Sequence, residues 1–166
     1  MAAARTLSTR RGILAVLCGG FLGTLVRYLL SLAIQDWAGK GWPYDILIIN
    51  LSGALLLSLV STLADATFLI GPTRRLLINT GFMGAYTTFS SLALGDLLLF
   101  NAGQLFPALL YLVLCLLGGL GAALLGDWLG QLLIRRSSAR PAVSRMLSVP
   151  EELVPTSIVD EVDLRR

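Results

Sequence analysis

The run Gly81-Phe82-Met83-Gly84-Ala85-Tyr86-Thr87-Thr88-Phe89-Ser90-Ser91 sets two glycines and four Ser/Thr hydroxyls inside a strongly apolar stretch. Hydroxyls can donate hydrogen bonds to an anion, and glycines admit close backbone approach. The apolar segment around them, Leu76 to Phe100, would measure roughly 37 Å as one helix, longer than the hydrocarbon core of a bilayer. In lipid every backbone N–H and C=O must find a partner, so this composition suits a segment that packs tightly or lines a cavity. The run reads as irregular backbone that a polar species touches. That is the chemistry of a permeation path.

Other candidate residues are few. Arg27 falls within an apolar segment, where it either snorkels toward the interface or faces a water-filled vestibule. Asn50, between Ile49 and Leu51, needs partners for its amide, either a neighbouring helix or a permeant ion. Asp127 sits near the end of the last apolar segment and reads as an interface residue. The chain has no histidine, which removes Ser-His and Cys-His nucleophile pairs, HExxH zinc sites and histidine proton relays. Its carboxylates do not cluster in the apolar segments, so an enzyme is not expected. Cys18 and Cys115 lie in separate apolar segments and read as small packing residues.

The elements that must position these residues are apolar. Hydrophobic residues make up 55% of the 166, charged ones 14%, and mean hydropathy is +0.78, too apolar for an ordinary soluble domain. The sequence predicts an all-α membrane protein with four transmembrane helices: Gly12–Ile34, Tyr44–Ala64 behind Pro43, Leu76–Phe100 and Leu105–Ile134. Residues 1–11 form a basic lead, 12–134 the four-helix channel domain, and 135–166 a charged, proline-containing tail expected to be flexible. No small-x-small site follows the first apolar run, so it reads as a retained helix. Trp37, Trp42 and Trp128 fall where an aromatic belt would lie. Gly19, Gly20 and Gly23, and the series Gly118, Ala122, Gly126 and Gly130, form small-residue stripes that allow helix backbones to touch.

Three stretches carry a family resemblance: Gly19-Gly20-Phe21-Leu22-Gly23-Thr24-Leu25-Val26-Arg27-Tyr28, Asn50-Leu51-Ser52-Gly53, and Gly81 through Ser90. Together with the spacing of the four apolar segments, they make the chain resemble the Fluc (CrcB) family of bacterial fluoride channels over roughly residues 12–134. The resemblance implies an antiparallel, dual-topology-type dimer with a third helix broken mid-membrane and two narrow fluoride pores. It implies a structural sodium ion at the dimer interface, held by the backbone carbonyls of Gly84 and Thr87. It places Asn50, Phe89, Ser90, Ser91 and Tyr111 along the fluoride route and Arg27 in the vestibule. Fluoride is small and strongly hydrated, so such a pore must replace water with hydroxyl and amide donors and the positive edges of aromatic rings. The implied role is passive fluoride export that limits cytoplasmic fluoride toxicity. One departure stands out: where the family pattern continues with a second pore phenylalanine, this chain has Leu92, which offers no quadrupole edge.

Charge adds a second departure. With four spans, every arginine except Arg27 falls on the side of the termini, and only Lys40 and Arg27 remain elsewhere. The positive-inside rule then predicts one orientation in the cell inner membrane, both termini cytoplasmic. A homodimer of antiparallel subunits needs the same chain inserted both ways, so the expected partner, beyond fluoride and the lipid bilayer, is an identical subunit or an oppositely oriented homologue. Nucleic acid is not expected as a partner, because no element carries a basic face. Two other classes were weighed: a non-conducting accessory subunit, and a small four-helix multidrug–proton antiporter, which would want a buried carboxylate where this chain has Arg27. Reporter fusions at each terminus should both report cytoplasm; equal populations in the two orientations would overturn the charge argument.

Overall fold

The structure, a computed structural model, describes residues 9–39, 41–66 and 71–147, with side chains to residue 136. Most of the basic N-terminal lead, Lys40, and the acids from Glu151 to Asp163 lie outside the described residues. Every regular element among the described residues is helical: α1 Thr9–Ala38, α2 Tyr44–Ala66, α3 Pro72–Arg75, a π-helical segment Leu76–Met83, α4 Gly84–Tyr86, α5 Phe89–Asn101 and α6 Leu105–Leu147. Three of these helices are long and apolar enough to cross a membrane: α1, α2, and α6 over Leu105–Arg136. The chain is therefore a multi-pass membrane protein.

The connections follow from local chemistry. α1 closes on Gly39, whose φ of +81° is costly for any residue with a Cβ and whose amide bonds the Gln35 carbonyl at 3.0 Å. Pro43 then opens α2, and Asp45 in its first turn meets the positive end of the helix dipole. α5 ends similarly at Gly103 (φ +73°), with the Gln104 amide reaching back to Leu99 at 3.0 Å. Pro107 sits in the first turn of α6, where its missing N–H is no loss.

Helix boundaries differ from the sequence expectation. α1 and α2 run past Ile34 and Ala64 to Ala38 and Ala66. The apolar segment 76–100 comprises several helical elements, with Thr87 and Thr88 extended between α4 and α5. α6 continues through Arg135 to Leu147. Hydropathy marks where the chain stops being apolar, whereas Arg135–Arg140 contains no helix breaker and includes good helix formers. The chain divides into two compact units, Met1–Gln131 and Leu132–Arg166, and everything that follows concerns the first.

Within that unit the small-residue stripes act as read from sequence. A Cβ at Gly19 would overlap the Leu77 carbonyl oxygen, and one at Gly23 the Phe82 carbonyl oxygen, so α1 lies backbone-to-backbone on the π-helical segment. Gly81 returns the contact, 2.8 Å from a would-be Cβ to the Val16 carbonyl oxygen. On the opposite side Gly126 admits the Leu55 carbonyl and Gly130 the side chain of Thr62, which seats α6 on α2. Two buried clusters fill the remaining space: Leu92, Leu99, Ala108, Tyr111 and Cys115 between α5 and α6, and Ile49, Met83 and Tyr86 around α2. Cys115 packs as expected, whereas Cys18 is exposed. Trp37 and Trp128 are exposed, but Trp42 is half-buried, edge-on to Tyr111 at 5.3 Å, with its indole N–H on the Pro107 carbonyl at 3.4 Å.

Gly126→Val should destabilise the fold by roughly 1–3 kcal/mol, because the branched side chain must displace backbone of α2. Gly119→Ala, which meets nothing within 4 Å, should be close to neutral. Unfolding in mixed detergent micelles compares the two.

Candidate functional site

The site is built where the helical path between α4 and α5 opens. Thr87 (φ −79°, ψ 153°) and Thr88 (φ −150°, ψ 122°) are extended, so the backbone there cannot satisfy itself. Asn50 on α2 supplies both missing partners. Its Nδ2 donates to the Thr88 carbonyl at 3.0 Å, and its Oδ1 accepts the Thr88 amide at 2.9 Å. Of the two roles open to Asn50, the structure shows the neighbouring-helix role: the side chain is clamped on backbone.

The clamp has a consequence for Gly84. In a continuous helix the Gly84 carbonyl would receive the Thr88 amide, which Asn50 has taken. The Thr87 carbonyl would receive the Ser91 amide, but that N–H bonds Thr88 Oγ1 at 3.2 Å as an N-cap. The two carbonyls singled out from sequence are therefore the two whose helical donors are diverted to side chains. Thr87 Oγ1 donates to the Met83 carbonyl at 3.0 Å, so its hydroxyl is spent on backbone.

The hydroxyls after the opening are ordered directionally. Thr88 Oγ1 donates to Ser91 Oγ at 3.1 Å and lies 3.2 Å from Ser90 Oγ. Its single hydrogen goes to Ser91, so Ser90 is the donor to Thr88. The Ser91 hydroxyl hydrogen then has no acceptor among the described residues. The Phe89 ring, 75% exposed, stands at the start of α5. Arg27 is half-buried on α1 and takes no ion-pair partner among the described residues.

Tyr111 is fully buried, yet its hydroxyl has no hydrogen-bond partner, and neither has Asp96 Oδ1 on α5. Leaving such an atom unpaired costs about 1–3 kcal/mol. Leu92 is packed in the same cluster as Tyr111, so at this position the chain has core rather than an exposed ring.

A strut missed in the sequence supports the opening. Ser52 donates to the Ile49 carbonyl at 3.1 Å, which makes Tyr86 the donor in their 2.9 Å hydroxyl contact. Tyr86 also stacks on Phe82, centroids 5.9 Å apart and planes within 11°. Gly53 makes room, since a Cβ there would overlap the Thr87 methyl and approach the Tyr86 ring at 3.1 Å. Asp127 bonds Thr62 at 2.6 Å and Gln131 at 2.8 Å, a link between α2 and α6. Also missed was a polar group at the other end of α2, where Ser31 and Gln35 both donate to Asp45. Its sequence signal is the spacing of Arg27, Ser31 and Gln35, which puts all three on one face of α1.

The family model described as "CrcB-like protein, Camphor Resistance (CrcB)" matches residues 14–127 of this chain, which spans the clamp, the opening and the glycine stripes. The chain belongs to the CrcB family. A relative from Synechocystis sp. is 40% identical over 126 residues, covering 76% of this chain and 94% of its own. One from Chlorobaculum tepidum is 38% identical over 122 residues, covering 74% and 96%. Both relatives bear the name fluoride-specific ion channel FluC. The CrcB match ends at residue 127, close to the limit of the first compact unit at Gln131.

Asn50→Leu should leave the Thr88 amide without its acceptor and cost roughly 1–3 kcal/mol. Asn50→Asp keeps that acceptor and should lose less. Unfolding midpoints and the exchange rate of the Thr88 amide test this; unchanged exchange in Asn50→Leu would disprove the clamp.

Proposed function

We propose that this chain is a subunit of a fluoride-selective channel that carries fluoride passively out of the cytoplasm. Its membership in a family whose relatives, matched over nearly their whole length, are fluoride-specific channels carries the reading. The alternative of a non-conducting accessory subunit draws no support from those relatives.

The chemistry at the opening supports it. Segment 72–101 serves as the remaining crossing, a third transmembrane helix interrupted mid-membrane at Thr87–Thr88. A fluoride ion entering past Arg27 is concentrated by that uncompensated cation. It then exchanges water for protein donors: the Ser91 hydroxyl, at the end of the hydroxyl chain from Ser90 through Thr88, and the edge of the Phe89 ring. Asn50 holds the backbone that presents these groups and lines the route with what remains of its Nδ2 donors.

The donor set at Gly84 and Thr87 fits a sodium ion. Both are neutral carbonyl oxygens relieved of their helical partners, and unwound carbonyls are a recurrent way to hold Na⁺ within a membrane. Bound there, the ion supplies positive charge that offsets the cost of an anion in a low-dielectric surround. Two such carbonyls leave coordination incomplete, which a second subunit across a dimer interface completes. The steep arginine asymmetry favours an oppositely oriented homologue as that second subunit, with both termini of this chain cytoplasmic.

The test is fluoride efflux from liposomes holding the purified protein, followed with a fluoride-selective electrode against a chloride control. Rapid efflux of fluoride and not chloride is expected once a complete dimer is present. Efflux from this chain alone would show a homodimer; efflux only after adding an oppositely oriented homologue would show the heterodimer. Folded protein that releases no fluoride in either arrangement would refute the channel reading.

A further inference from the structure

Between the end of α1, the start of α2 and α5 lies a cavity of about 290 Å³ whose walls include Gln35, Trp42, Asp45, Gly95 and Gln104. Asp45 is only 6% exposed, an uncommon position for a carboxylate. Its neighbours account for one of its two oxygens. Ser31 Oγ and Gln35 Nε2 both donate to Oδ2, the latter at 2.8 Å. Gln35 Nε2 also lies 3.1 Å from Ser31 Oγ, and because Ser31 Oγ and Asp45 Oδ2 are bonded to each other, one amide hydrogen is shared between them.

The Ser31 hydroxyl and one Gln35 amide hydrogen are thus held on Asp45 Oδ2. Both residues line the cavity, and their remaining oxygens, Asp45 Oδ1 and Gln35 Oε1, take no hydrogen bond among the described residues. Asp45 Oδ1 is not sealed in protein either, since it is absent from the unreachable polar atoms that include Tyr111 Oη and Asp96 Oδ1. The group carries one negative charge and borders a space large enough for an ion with several waters at roughly 30 Å³ each.

We infer that this cavity is a monovalent-cation site with Asp45 Oδ1 and Gln35 Oε1 as its protein ligands. Oxygen-only ligation selects a hard cation, and a single carboxylate balances a single charge, where divalent sites gather more oxygen ligands and more charge. Ser31 and the Gln35 amide hold the carboxylate so that the second oxygen faces the cavity. The site is separate from the carbonyls of Gly84 and Thr87 and stands whether or not the chain conducts fluoride.

Thallium(I) is the probe, because its anomalous scattering locates a monovalent ion and separates this position from any ion at Gly84 and Thr87. Crystals of the full-length protein equilibrated in thallium(I) nitrate should show a peak between Asp45 Oδ1 and Gln35 Oε1. Asp45→Asn should raise the half-saturating thallium concentration for that peak by at least about tenfold and leave any peak at Gly84 and Thr87 unchanged. If Asp45→Asn does not fold, Gln35→Met, which keeps the carboxylate, should still weaken the peak. No peak at Asp45 in the wild-type crystals would overturn the proposal. So would a peak that appears only in Lys40→Gln, because the chain's own lysine would then be the occupant.

Discussion

The structure depends on how a backbone is left open where water is scarce. An extended pair such as Thr87–Thr88 exposes amides and carbonyls that hydrocarbon cannot satisfy. Asn50 resolves this with one side chain, because an amide alone among uncharged groups offers a strong donor and a strong acceptor from the same planar end. The Thr88 hydroxyl does the same for the Ser91 amide. Both bonds close the protein's own requirements while releasing the carbonyls of Gly84 and Thr87 and the hydroxyl hydrogen of Ser91. An interior that would otherwise be inert is left with a small number of directed polar groups.

Such an opening holds its shape only if the surrounding helices are close. Lipid tails are as apolar as leucine, so helices in a membrane gain little from burying leucine and much from close packing and hydrogen bonds. This chain accordingly turns its glycines inward, Gly19, Gly23 and Gly81 on one side and Gly126 and Gly130 on the other, and leaves residues such as Phe21 and Leu117 exposed. The π-helical segment Leu76–Met83 fits the same logic. Its wider turn sets the backbone against α1 where the Gly19 and Gly23 positions allow carbonyls to enter.

Polar groups are sorted by depth and sign. Arg27, Ser31 and Gln35 share one face of α1, and Asp45 across from them uses the two uncharged side chains and leaves the arginine unpaired. A cation kept free in this way retains its field for a mobile anion, whereas an ion pair would cancel most of it. At the far end of α2 the pattern is purely structural: Asp127 is held by Thr62 and Gln131, and Arg75 pairs with Asp65 at 2.6 Å on the surface, where the pair contributes little.

Apolar length and arginine placement alone determined that the chain is a helical membrane protein, because the cost of burying charge and unpaired backbone in lipid acts on composition directly. The glycine stripes were legible for the same reason: a missing side chain is a local property. Residue chemistry marked Asn50 and the hydroxyls, and the family resemblance added the carbonyls of Gly84 and Thr87. Their division of labour was not legible. Whether Asn50 meets an ion or a backbone, which serine keeps its hydrogen, and that Leu92 packs on a buried Tyr111 depend on which donor reaches which acceptor across different helices. Hydrogen bonds are directional and act over about 3 Å, a scale on which residues 38 positions apart meet or miss only through tertiary packing. The burial of Asp45 is likewise tertiary: an acid in the first turn of a helix is ordinary in sequence, and only packing leaves it 6% exposed.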